Sequence, residues 1–135
     1  MLAAALALGA VRLALPIVRG DDPGTPMTAL KALPPELLKQ PVLNDYAFGG
    51  YMISAGVAPF IDGRQEVYRD AFIDRYHKVI APDPKALDAV LADYRIGWTI
   101  FMPSQPVVAI MDLKPGWRRA YTDKYAVVHV RTAAP

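Results

Sequence analysis

Two stretches of the 135-residue sequence gather acidic, basic, amide and aromatic side chains directly after short apolar runs. The first stretch follows the apolar run at residues 41–44, and the second follows the run at residues 58–61. If both runs are strands, these side chains lie where strands end and ligands commonly bind. The candidate ligand-binding residues are Asn44, Asp45, Tyr46, Gly49, Gly50 and Tyr51 in the first stretch, and Asp62, Arg64, Glu66 and Tyr68 in the second.

These residue types could serve several kinds of chemistry. The carboxylates of Asp45, Asp62 and Glu66 could act as acids and bases or could hold a divalent cation. The guanidinium of Arg64 could clamp a phosphate or a carboxylate. The two adjacent glycines could let main-chain N–H groups approach an anion, although their spacing fits neither a phosphate-binding loop nor a dinucleotide fingerprint.

A structural interpretation of the same residues stands beside the ligand-binding one. Asp and Asn side chains that follow strands commonly cap helices and accept hydrogen bonds from turn amides. Arg64 with Asp45 or Glu66 could form a partly buried ion pair that fixes two loops, and such structural networks resemble active sites. The sequence leaves both interpretations open.

The rest of the chain offers few groups for catalysis or metal binding. It contains 0 cysteines, which excludes a thiol nucleophile and a cysteine zinc site. Neither His77 nor His129 has a second ligand at metal spacing, so we predict packing or surface positions for both and no metal site. Arg118 and Arg119 are expected at the solvated surface. The net charge of +2, without a basic stripe, predicts no nucleic-acid partner; no cofactor is predicted.

The elements that must position the candidate residues follow from the spacing of apolar residues. From Asp70 onward this spacing is helical, and Asp83 followed by Pro84 is a strong signal for the start of a second helix. The apolar run at residues 98–102 is typical of a buried parallel strand, and two final runs around a short turn indicate a hairpin. The alternation predicts an α/β three-layer sandwich with a mainly parallel, Rossmann-like sheet and a C-terminal antiparallel hairpin.

The chain divides into three parts by composition. Residues 1–19 are apolar except for two arginines, and they are predicted to form a helix that is the remnant of a transmembrane segment. A core helix and a signal peptide are the alternatives. Residues 20–26 form a polar linker rich in glycine and proline, and residues 27–135 form the α/β domain.

The two candidate stretches also carry a family resemblance. The motifs NDYAFGGY at 44–51 and FIDGRQEVY at 60–68 resemble the C-terminal soluble domain of large bacterial polytopic membrane proteins. These proteins are described as uncharacterised or as glycosyltransferases of the dolichyl-phosphate-mannose type. The motifs YRIGW, PGWR and YTDKYAVV later in the chain resemble the same domain, so the similarity extends over about residues 27–131.

The resemblance implies a domain of a bacterial inner-membrane protein, with its soluble part in the periplasm. It brings no assigned active site, because the catalytic acids of such membrane glycosyltransferases lie in loops near their first transmembrane helices. We therefore predict a non-catalytic accessory or ligand-binding domain, whose partners are the membrane and a glycan or polyprenyl-phosphate sugar. The alternative is a small enzyme that acts on a phosphorylated or glycosylated substrate through Asp45, Asp62, Arg64 and Glu66.

Overall fold

The computed structural model describes residues 20–81 and 83–132, so the predicted N-terminal helix at residues 1–19 lies outside the described residues. The helices of this part are α1 (Met27–Lys31), α2 (Pro35–Leu38), α3 (Gly49–Ser54), α4 (Asp70–Ile80), α5 (Pro84–Asp93) and α6 (Pro106–Asp112). Short 3-10 helices lie at Tyr46–Phe48 and Gln65–Val67. The strands are β1 (Val42–Asn44), β2 (Trp98–Phe101), β3 (Trp117–Thr122) and β4 (Val127–Arg131).

The four strands form one mixed sheet in the order β1-β2-β4-β3. Strands β1 and β2 are parallel, whereas β4 pairs antiparallel with β2 on one side and with β3 on the other. The predicted mainly parallel, Rossmann-like sheet is therefore wrong, because one strand pair in this sheet is parallel and the other two are antiparallel.

The fold prediction was wrong because one predicted parallel strand is absent from the described sheet. Residues 58–61 were predicted to be a second strand, but they form an irregular segment with a bend at Phe60 and no strand pairing. Pro59 has no main-chain N–H to donate, and the next main-chain groups, at Phe60 and Ile61, bond the side chain of Asn44 instead of another strand. An apolar run alone does not distinguish a paired strand from a segment whose main chain bonds a side chain.

Helices pack against both faces of the sheet, because neighbouring strand residues point in opposite directions. On one face, Leu43 and Phe101 pack with α4, α5 and α6. On the other face, Val42 and Trp98 pack with α1 and α3. The helix residues of the first core include Tyr76, Val79, Leu87, Val90, Leu91, Val107, Val108 and Met111. This arrangement fixes the ends of β1 and β2, where the candidate residues lie.

The two longest described helices begin where the sequence predicts. Helix α4 begins at Asp70, and α5 begins at Pro84 after its cap Asp83. The carboxylate of Asp83 accepts hydrogen bonds from the main-chain N–H groups of Lys85 (3.0 Å) and Ala86 (3.1 Å). No helix in residues 20–81 or 83–132 combines the length and apolar composition that crossing a membrane requires.

Candidate functional site

Asp45 joins the carboxyl ends of the parallel strands β1 and β2. Its main-chain N–H donates to the carbonyl of Ile100 (2.8 Å), and the residue is 2% exposed. One carboxylate oxygen accepts from the N–H of Ala47 (3.1 Å). The other accepts from the N–H of Met102 (3.3 Å) and from the side-chain amide of Gln105 (2.9 Å). Asp45 thus satisfies three neighbouring donors that would otherwise lack a partner.

Asn44 connects the two candidate stretches to each other. Its side-chain oxygen accepts from the main-chain N–H of Phe60 (2.7 Å), and its side-chain nitrogen donates to the carbonyl of Ile61 (2.8 Å). The same nitrogen also donates to the carbonyl of Asp45 (2.8 Å). The residue is fully buried, so the amide takes the place of a strand partner for the segment that leads to Asp62.

Gly49 is required by close packing. A Cβ atom at this position would lie 2.3 Å from the carbonyl oxygen of Ile61 and 2.6 Å from the Cα atom of Asp62. Gly50 has no such neighbour within 4 Å and is exposed. Tyr51 packs against the core on the α1–α3 face of the sheet. The first glycine therefore lets the second loop press against α3.

Asp62 is the centre of a hydrogen-bonded loop. Its carboxylate accepts from the main-chain N–H (2.9 Å), Nε (2.9 Å) and Nη2 (2.8 Å) of Arg64, and from the hydroxyl of Tyr68 (2.8 Å). The side-chain hydrogen bond from Arg64 holds the pKa of Asp62 well below its ordinary value, although burial acts in the opposite direction. The carboxylate is therefore ionised at neutral pH.

Arg64 pairs with Asp62, and it does not pair with Asp45 or Glu66, which the sequence analysis considered as partners. The pair lies within one loop, so it closes that loop on itself and does not connect the two stretches. The Arg64 side chain is 62% exposed, whereas that of Asp62 is 3% exposed. Glu66 is exposed and has no hydrogen bond or ion pair with any residue that the structure describes.

A small cavity lies beside the first stretch. The main-chain N–H of Tyr46 donates to the hydroxyl of Tyr76 (2.9 Å), which in turn donates to the carbonyl of Asn44 (3.2 Å). Burial raises the pKa of the Tyr76 hydroxyl, so it remains protonated. The cavity has a volume of about 200 Å³, and its lining residues are Tyr46, Ile61, Gln65, Ile73, Tyr76, His77 and Ile80.

Three of these lining residues were assigned from the sequence to the apolar face of a helix. Ile73, Tyr76 and Ile80 follow the helical spacing of α4, which is also the spacing of an ordinary buried face. Gln65 lies between the candidate residues Arg64 and Glu66, and this position was the sequence signal that could have identified it as a site residue.

A second cluster involves residues that were expected at packing or surface positions. His129 is fully buried, and its Nε2 lies 2.7 Å from a carboxylate oxygen of Asp112. The same oxygen accepts from Nε of Arg119 (3.0 Å), so Arg119 is ion-paired, and its side chain is 41% exposed, as expected for a surface residue. Burial lowers the pKa of His129, and the side-chain hydrogen bond from Arg119 lowers the pKa of Asp112. The cluster joins α6, β3 and β4.

The site has no evident metal centre. Across residues 20–81 and 83–132, no group of three or more His, Asp or Glu side chains could hold a metal ion. Comparisons of the chain with protein-family models, with curated proteins and with solved structures give no match in any of the three cases. The family resemblance drawn from the sequence therefore stays a prediction.

Proposed function

We propose that this chain is a non-catalytic, ligand-binding accessory domain of a polytopic membrane protein. Residues 1–19 anchor it in the bacterial inner membrane, and the α/β domain lies in the periplasm. The parent protein uses a lipid-linked sugar, as a glycosyltransferase does, and the domain binds the glycan part. The apolar composition of residues 1–19 and the motifs at 44–51 and 60–68 support this assignment.

The occupied carboxylates of Asp45 and Asp62 carry the proposal. A general acid or base needs a pKa near the working pH and access to the substrate proton. Asp62 holds its proton too weakly to act as an acid, and both of its oxygens already accept hydrogen bonds. Asp45 is buried, and both of its oxygens accept from neighbouring groups. These side chains maintain the loops, and that role favours binding over turnover.

The cavity beside Tyr46 is the proposed ligand site. Its volume of about 200 Å³ suits one sugar ring. Ile61 and Ile73 supply apolar walls for the apolar face of such a ring, and Gln65 and His77 supply polar groups for its hydroxyls. None of the described lining residues is an aspartate, glutamate, lysine or arginine, so the site favours the uncharged part of a ligand.

Enzyme assays test the non-catalytic part of the proposal. The 135-residue chain is incubated with activated sugars, phosphate esters and glycosides, with and without Mg²⁺ or Mn²⁺. We expect no turnover. Turnover that is lost in both Asp45→Asn and Asp62→Asn variants, with circular dichroism unchanged, would instead establish the small-enzyme alternative.

Ligand titration tests the binding part. Glucose, galactose, N-acetylglucosamine and maltotriose are added to isotope-labelled full chain, and amide shifts are followed. We expect shifts at Tyr46, Gln65 and His77 for at least one sugar. The variant Gln65→Trp should remove them by filling the rim, whereas Ile53→Trp, at an exposed position on α3 outside the cavity, should not. Shifts elsewhere alone, or none with any sugar, would contradict this site.

A further inference from the structure

A larger groove lies at the other end of the parallel strand pair. It includes Val42, at the start of β1, and Ile96, which precedes β2, whereas the candidate site follows the carboxyl ends of both strands. Its volume is about 820 Å³, within the range of sites for small molecules. Most of the lining is apolar, from α2 and its end, from residues 55–60 after α3, and from Phe72, Tyr94 and Ile96.

One wall of the groove is a row of packed aromatic rings. The rings of Phe60 and Phe72 stack with centroids 4.9 Å apart, and the ring of Tyr94 meets Phe60 edge-on at 4.9 Å. Tyr68 extends the row, since its ring stacks on Phe72 at 5.2 Å. Such offset and edge contacts hold aromatic side chains in place. The wall is therefore preformed, and an apolar ligand would not have to order it.

Lys39 places a positive charge at the groove, beside the carboxylate of Glu36, which is not a lining residue. Among the described lining residues, Lys39 is the charged one, and none is an aspartate or a glutamate. Its ammonium donates to both carboxylate oxygens of Glu36 (3.1 and 3.2 Å), but both side chains are largely exposed, at 72% and 80%. An exposed pair of this kind is weak and exchanges partners readily. A ligand with an anionic group can therefore reach Lys39.

The main chain of the groove argues against a peptide ligand. Extended peptides bind at sheet edges through main-chain hydrogen bonds. Val42, the strand residue that lines the groove, is 2% exposed, so it offers little main-chain surface for pairing. A glycan would need many polar partners, and the lining contains few. An aliphatic chain requires neither main-chain hydrogen bonds nor polar partners.

We propose that this groove binds a single-chain amphiphile with an anionic head group. The aliphatic chain lies against Phe60, Phe72 and Ile96, and the head group pairs with Lys39. This binding is independent of the proposed glycan site, because the two cavities share no lining residue in the part of the chain that the structure describes. Cationic amphiphiles, peptides and a second copy of the chain are the occupants that the experiment must distinguish from this one.

Binding of two matched probes tests the proposal. Decanoate and decyltrimethylammonium, below their micelle concentrations, are titrated into the isotope-labelled full chain at low salt. We expect amide shifts along the groove and tighter binding of decanoate by at least about threefold, with the difference reduced at high salt. Equal binding of both probes, preference for the cation, or self-association through this face would overturn the proposal.

Three variants separate the groove from other apolar surfaces. Ala58→Trp places an indole in the groove and should abolish the groove shifts, whereas Leu113→Trp, at a highly exposed position outside it, should leave them unchanged. Lys39→Glu should reverse the preference between the two probes. Glu36→Gln releases Lys39 and should strengthen decanoate binding by about twofold to fivefold. Charge variants without effect on either probe would contradict the role of Lys39.

Discussion

Two aspartates of this domain each bind an arginine through paired side-chain hydrogen bonds, yet they stabilise the fold in different ways. Asp62 binds Arg64, two residues along the chain, and closes one loop. Asp112 binds Arg119 on β3 and His129 on β4, and so attaches the end of α6 to the hairpin. The first contact is local, and the second joins three elements.

The two clusters also differ in which partner is buried. At the loop, the carboxylate of Asp62 is buried and the guanidinium of Arg64 lies largely in water. At the hairpin, the imidazole of His129 is fully buried and the carboxylate of Asp112 is partly exposed. Removal of a buried member leaves partners or space unfilled, whereas removal of an exposed member costs little. The buried residue should therefore dominate each cluster.

The largest expected effect is at the hairpin. His129→Ala removes a fully buried side chain and the bond to Asp112, so we expect a loss of about 2–4 kcal/mol in the free energy of unfolding. Urea unfolding of the full chain measures it. The matched variant His77→Ala, at an exposed position, should change the value by less than about 0.5 kcal/mol. Similar losses for both histidines would contradict the difference in burial.

A smaller effect is expected at the loop. Asp62→Ala leaves the hydroxyl of Tyr68 and three donor groups of Arg64 without their acceptor, at a cost of about 1–3 kcal/mol in unfolding free energy. Arg64→Ala should cost less, because its guanidinium is mostly exposed and Tyr68 still donates to Asp62. If Arg64→Ala were the more destabilising variant in urea unfolding, the arginine would be the structural centre of the loop.

The smallest expected effect separates the clusters by pH. Burial lowers the pKa of His129, so its stabilisation is complete above about pH 6.5 and declines as the pH falls through that value. The lowered pKa values of Asp62 and Asp112 give stabilisation that is present above about pH 3.8 and is lost only below it. We expect urea midpoints to fall in two steps.

Variants assign the two steps of that profile. His129→Gln should lack the step that begins near pH 6.5 and retain the acidic one. Asp62→Asn should retain the first step and reduce the second, because Asp112 still contributes to it. A first step that persists in His129→Gln would show that another group carries it.

Local signals in the sequence predicted the helices better than the sheet. The start of α5 depends on Asp83 and Pro84, which act within one helical turn, and the structure has the helix there. The sheet depends on which apolar segments pair. Residues 58–61 have the composition of a strand, but the side chain of Asn44, 16 residues earlier than Phe60, bonds their main chain instead.

In the side-chain clusters too, contacts between residues that are distant in the sequence were not predicted. Asp62 and Arg64 lie two residues apart in the sequence, so an ion pair of Arg64 within the candidate site could be expected. His129 lies 17 residues from Asp112, and the turn of the hairpin brings them together. Spacing along the chain gives no indication of such a contact. The residues of α4 that line the cavity could not be predicted as site residues either, since their spacing is that of a core face.

The position of β4 has a consequence for synthesis of the chain. β4 is the last strand of the described residues, yet it lies inside the sheet between β2 and β3. While the ribosome makes the chain from its N-terminus, the apolar strand Trp98–Phe101 emerges well before its antiparallel partner. The nascent domain therefore exposes an aggregation-prone strand until translation passes Arg131, and a premature stop after β3 removes an inner strand of the sheet, not an edge.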